Sequence, residues 1–115
     1  MRNDKENIIV NKTFKFSLEV IEFIEKLEEQ RKYNLAKQLF RSGTSIGANV
    51  REAQNGESKA DFIHKMKIAA KEADETKYWL ELCKESKHYP DPGSLLEEIG
   101  SIEKILSKII ATSKK

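Results

Sequence analysis

The stretch from Lys59 to Glu85 reads KADFIHKMKIAAKEADETKYWLELCKE. In it, Phe62, Met66, Ala69, Ala73, Thr76, Leu80 and Cys83 recur at alternating steps of four and three. Each helical residue advances about 100°, so these seven side chains fall on one stripe. A stripe of that kind is a packing seam between helices. A second stripe, Ile68, Glu72, Trp79 and Leu82, lies beside it. Ser58 stands at the N-cap position with Asp61 three residues on, the spacing of a capping box. The helix ends near Ser86, ahead of Pro90.

Working outward from that helix, the rest of the chain reads the same way. A second helix runs from about Asn34 to Gln54 and is joined to the first by the turn Asn55-Gly56-Glu57. Another, from about Thr13 to Glu29, places Phe16, Val20, Phe23, Ile24 and Leu27 at helical spacing. A last helix follows Asp91-Pro92-Gly93, with Ser94 and Glu97 as a second possible capping box and Leu95, Ile99, Ile102, Leu106 and Ile109 as its stripe. The only prolines are Pro90 and Pro92, and no β-branched run alternates with polar residues. Four amphipathic helices with short loops predict an all-α, antiparallel up-down-up-down bundle. Residues 1–12 are expected to be a flexible arm and residues 13–113 the bundle.

Composition limits the function classes. The 115 residues carry 21 Lys and Arg against 19 Asp and Glu, a net charge of +2. So balanced a chain exerts no bulk pull on nucleic acid or anionic membrane, and any such binding must come from local patches. The longest aliphatic run, Ile8-Ile9-Val10, is far short of the roughly 20 residues of a membrane helix. The start, MRNDKEN, has no apolar signal core. Lone Cys83 has no intrachain partner for a disulfide. These features together predict a cytoplasmic protein that needs no membrane.

The Asn34–Gln54 helix is unusual. Leu35, Leu39, Ile46, Val50 and Ala53 form its core stripe. One flank carries Ala36, Gly43 and Gly47, with Phe40 beside them. Each mid-helix glycine costs about 1 kcal/mol relative to Ala, which close approach of another backbone would explain. The other flank, Gln38, Ser42, Ser45, Asn49 and Glu52, is short and largely neutral, as expected for partly buried hydrogen-bonding residues. A small bundle buries one stripe per helix, yet this helix and the next carry two each. The surplus predicts an oligomer interface at Gly43, Gly47, Asn49, Ile68, Glu72, Trp79 and Leu82. The bland alternative is that Trp79 closes one end of the monomer core.

Two strings carry a resemblance. One runs Arg41-Ser42-Gly43-Thr44-Ser45-Ile46-Gly47-Ala48-Asn49-Val50-Arg51-Glu52-Ala53, preceded by Gln38-Leu39. The other is Ser58-Lys59-Ala60-Asp61-Phe62, with Lys65 and then Ile68-Ala69, Lys71-Glu72-Ala73, Glu75-Thr76 and Tyr78-Trp79-Leu80. Together they resemble the bacterial four-helix-bundle family encoded within intervening sequences of large-subunit ribosomal RNA genes, often labelled a ribosomal protein. The resemblance spans about Phe14 to Ile110. It implies an antiparallel four-helix bundle and a ring, most often of five subunits. The accessory variability proteins of diversity-generating retroelements look like relatives, and those are pentamers that contact RNA and a reverse transcriptase. The resemblance brings no catalytic residue with it.

Three function classes stand against one another. The first is RNA or DNA binding through Lys37, Arg41, Arg51, Lys67 and Lys71. On the Asn34–Gln54 helix the sector of Lys37, Arg41 and Arg51 contains no acid, and Arg41 is expected level with Lys71. Such residues would contact phosphates with little sequence preference. The second is a scaffold for a protein partner, with no nucleic acid. The third is a metal-dependent bundle enzyme, which needs Glu-x-x-His motifs on two helices. Glu85 with His88 fits once, and Asp61 with His64 only loosely. The ligand set is incomplete, so the expectation is two surface histidines, no metal, no cofactor and no catalysis. Cys83 lies on the apolar seam and reads as an inert core thiol.

Overall fold

The computed structural model describes residues 7–115. Four helices follow in order: α1 (Ile8–Glu29), α2 (Tyr33–Ala53), α3 (Lys59–Glu85) and α4 (Leu95–Ser113). The 27 residues of α3 rise about 40 Å at 1.5 Å each, close to the 45 Å long axis of the molecule. The helices therefore run lengthwise. Among the described residues, neighbouring packing pairs are α1–α2, α2–α3, α3–α4 and α1–α4, a closed square. Direction follows from the cross-helix pairs. Gly43 and Gly47 of α2 lie against Val20 and Thr13 of α1, in reversed order. Glu52 and Arg41 of α2 meet Lys65 and Glu75 of α3, again reversed. The expected antiparallel bundle is the observed one.

The core takes one stripe from each helix. Phe16, Val20 and Leu27 of α1, Leu39, Ile46 and Val50 of α2, Met66, Ala69, Ala73 and Leu80 of α3, and Ile99, Ile102 and Leu106 of α4 are all fully buried. Of the α3 seam, only Phe62 is merely half-buried. Cys83 is free and buried, and burial pushes its thiol up to about 11. At neutral pH it stays protonated and unreactive.

Two local features differ from the expectations. Residues 8–12, expected in the arm, belong to the bundle, because α1 begins at Ile8. Asn7 caps it, its side-chain oxygen accepting from the Val10 amide at 3.2 Å. Ile9 and Val10 are thereby brought into the core, each 3% exposed. The remainder of the expected arm, residues 1–6, lies outside the described residues. The second capping box does not form: Ser94 caps nothing with its side chain and donates instead to Glu98 Oε2 at 3.1 Å. The first does cap α3, Ser58 Oγ accepting from the Asp61 amide at 3.1 Å. Finally, α1 turns into α2 through Arg31 at φ 62°. The Lys32 amide donates to the Leu27 carbonyl at 2.8 Å, a Schellman-type end in which arginine holds the position glycine usually fills.

Candidate functional site

The polar flank of α2 meets α3 in a graded seam. Deepest is the Ser42 and Thr76 pair, both fully buried, their hydroxyls sharing a hydrogen bond of 2.9 Å. Farther out, Asn49 donates to the Ser45 carbonyl at 2.9 Å, and Lys65 pairs with Glu52 at 2.8 Å. Ser42 is buried and Ser45 and Asn49 are half-buried, all three hydrogen-bonded, while Gln38 and Glu52 at the ends of the flank are exposed. Next to it, Arg41 reaches across to Glu72 at 3.3 Å and to Glu75. The Glu75 carboxylate also accepts from Trp79 Nε1 at 3.0 Å. Two carboxylates on one guanidinium leave this cluster one negative charge in excess.

Toward the end of α3 the same seam opens into an apolar groove of about 430 Å³, lined by Leu35, Trp79, Leu82 and Tyr89 with Asn34 and Gln38. Leu82 is 42% exposed, and Trp79 is half-buried with Tyr78 edge-on to it at 5.3 Å. Trp79 thus packs against the core on one side and lines an open groove on the other. Of the expected interface residues, the structure brings Glu72, Trp79 and Leu82 together on this side. Ile68 and Asn49 are half-buried lower on the same α2–α3 side.

Gly43 and Gly47 do not belong with them. A Cβ on Gly43 would meet Val20 Cγ1 at 3.0 Å, and one on Gly47 would meet the Thr13 carbonyl oxygen at 3.2 Å. Both glycines serve the close α1–α2 approach inside the subunit. The reason anticipated for them, close approach of a second backbone, holds for Gly47, which meets the Thr13 backbone.

Sequence reasoning missed an entire face. On the far side of α2, a groove of about 290 Å³ runs between α1 and α2, with Phe14, Leu18 and Ile21 along one wall and Thr44, Ala48 and Arg51 along the other. Phe14 and Leu18 are half-exposed. Phe40 is also half-exposed and shares the outer line of α2 with Thr44 and Ala48 by helical spacing. The signal was present: Phe14, Leu18 and Ile21 stand at steps of four and three, a second α1 stripe beside the core stripe.

The five expected phosphate-binding residues are not gathered into one patch. Arg41 faces Glu72 and Glu75 across the helix pair and not Lys71, so its charge is already matched. Arg51 lies on the opposite side, over the Phe14 ring at 5.3 Å. Lys37 and Lys71 are exposed. Lys67 sits beside Lys114 of α4, and that second ammonium holds Lys67 below the usual lysine range. Among the described residues, no three His, Cys, Asp or Glu side chains form a group that could hold a metal ion. His64 and His88 are both exposed. Among the same residues, no helix is long and apolar enough to cross a membrane.

The comparisons with known proteins agree with the architecture. A crystal structure of a protein of unknown function from the S23 ribosomal protein family of Bacteroides thetaiotaomicron superposes with a TM-score of 0.84 at 41% identity, covering 89% of this chain and 97% of that one. No curated protein matches the chain. The family model of the 23S rRNA-intervening sequence protein matches residues 5–108. A four-helix bundle matched over that span, with a solved relative of the same fold, belongs to the 23S rRNA-intervening sequence protein family.

Proposed function

We propose that this protein is a non-catalytic binding scaffold that assembles with copies of itself, as a ring in the cytoplasm. One observation carries the reading: two apolar faces stay in water although the core is already complete. Phe14, Leu18 and Phe40 on one side and Leu82 with the Trp79 groove on the other are too extensive for scattered surface residues. Exposed patches of that kind mark interaction sites, and aromatic residues are enriched in them. Sedimentation velocity on wild type and Trp79→Ala tests it. Wild type should sediment as an oligomer, and the variant should dissociate at concentrations where its helicity is unchanged. A Trp79→Ala protein that stays fully assembled removes the Trp79 groove from the interface.

A second reading, contact with RNA or DNA phosphates, draws on the exposed lysines Lys67, Lys71 and Lys114. Repetition around an assembly would multiply so weak a site by avidity. Lys67→Glu with Lys71→Glu should then weaken binding to generic RNA, and wild-type affinity should fall steeply with salt. A flat salt dependence would leave the protein-scaffold reading alone.

A further inference from the structure

Charge is sorted along the bundle although the total is nearly balanced. Residues 8–18 of α1, 59–71 of α3 and 104–115 at the end of α4 together carry ten lysines and one acidic side chain, Asp61. The complementary stretches, 19–29, 72–85 and 95–103, carry three lysines and thirteen acidic side chains. Because α1 and α3 run one way and α4 the other, the three basic stretches meet at the end of the bundle where α1 begins. A helix macrodipole favours acids early and lysines late. That order holds in α4 but is reversed in α1 and α3, so helix stability does not account for the sorting.

The basic stretches also share a side. Lys12 and Lys15 continue the line of Glu19 by steps of three and four, and Glu19 lines a cleft with Ser94 and Leu95 of α4. Lys67 sits beside Lys114, with Lys71 one turn on. Lys104 and Lys108 stand one turn apart, opposite the core stripe of α4. Apart from half-buried Lys12, these lysines are exposed. Among the described residues the ion pairs engage Arg41, Lys65 and Lys77, so none of these lysines has a carboxylate partner there. In the square of helices α4 stands diagonal to α2. Both apolar grooves flank α2, so an assembly formed through them leaves the basic face in water.

Resting on the nucleic-acid reading above, we propose that this α1–α4–α3 face binds the phosphate backbone of a double-stranded nucleic acid. The occupant follows from the chemistry of the face. Residues 59–71 rise about 20 Å at 1.5 Å each, and a duplex presents one phosphate charge per about 1.7 Å of its axis, so several phosphates fall within reach. Lysine meets them as a point charge and reads no base edge. Single-strand binders add exposed aromatic side chains on which bases stack. Here the exposed aromatics lie elsewhere: Phe14 and Phe40 flank the α1–α2 groove, and Tyr33 and Tyr78 lie toward the opposite end. The acidic end is repelled by the same duplex and turns the basic end toward it.

Lys104→Gln with Lys108→Gln tests this. Its control is Lys37→Gln with Lys87→Gln, which removes the same charge away from the face. All four positions are exposed, so both chains should keep wild-type helicity by circular dichroism. Lys15→Gln with Lys71→Gln replaces the first variant should that chain lose helicity. Binding to duplex RNA, to duplex DNA and to a single strand of the same sequence is titrated across salt concentrations. Wild type should hold a duplex more tightly than the single strand, and the RNA and DNA arms show which duplex it prefers. The first variant should lower the slope of log affinity against log salt by about two, equally for unrelated duplex sequences. The control should keep the wild-type slope. Equal slopes for the two variants overturn the face and leave nucleic-acid binding standing. Tighter binding to the single strand overturns the duplex assignment. Absence of binding to any strand at low salt overturns both readings at once, and binding to anionic vesicles in its place assigns the face to a membrane surface.

Discussion

Glycine at position 43 and glycine at position 100 look alike in the sequence, each mid-helix and each costing about 1 kcal/mol against alanine. Their surroundings separate them. A Cβ on Gly43 would press on both methyls of Val20 at 3.0 and 3.1 Å, and Val20 is fully buried and β-branched, with no room to rotate. A Cβ on Gly100 would meet nothing within 4 Å. Gly43→Ala should therefore lower stability by about 1 kcal/mol, because overpacking of about 1–3 kcal/mol outweighs the gain in helix propensity. Gly100→Ala should raise it by about 0.5–1 kcal/mol. Urea titrations of the two variants check the opposite signs, and a stabilised Gly43→Ala would refute the tight α1–α2 approach. The sequence showed that Gly43 and its neighbour Gly47 needed a reason. Whether the reason lay inside or outside the subunit depends on which helix faces that flank, and spacing along one helix cannot reveal it.

Between elements, the α1–α4 seam holds a pair of like charges. Glu19 of α1 faces Glu98 of α4, and its Oε1 is enclosed without a donor. The hydrogen bond the two carboxyls make when they share a proton is the main cause that raises Glu19 from 4.5 to about 7. Burial and the Glu98 charge add to it, with Glu22 in the same direction and Lys15 opposing. The folded chain thus keeps a proton that the unfolded chain releases near 4.5. That contribution is fully present below pH 4.5 and is lost as pH rises through about 7. Stability should decline between about pH 5 and pH 8, and Glu19→Gln should flatten the decline. Thermal melts across that range would detect it, and identical profiles for the two proteins would exclude the pair as the cause. Helix existence and the core stripes were legible in the spacing of apolar residues. The start of α1 was not, because three apolar residues after a polar run resemble a tail until Asn7 caps them and Ile9 and Val10 find the core. The Arg41 cluster was hidden for a similar reason. On α2 alone Arg41 belongs to an acid-free sector, and only the register against α3 brings Glu72 and Glu75 to it.

For the whole molecule, the bundle satisfies itself internally and still leaves two apolar faces in water. Half of that surplus was visible as the second stripes of α2 and α3. The α1 stripe of Phe14, Leu18 and Ile21 completes it, and with it the surplus becomes two separate faces flanking α2. The most direct test of self-assembly is a native mass spectrum of the untagged wild-type protein at low micromolar concentration. The account predicts one oligomer of a single stoichiometry, with monomer absent or minor. A clean monomer would contradict it, since both faces would then be left without the copies proposed to cover them.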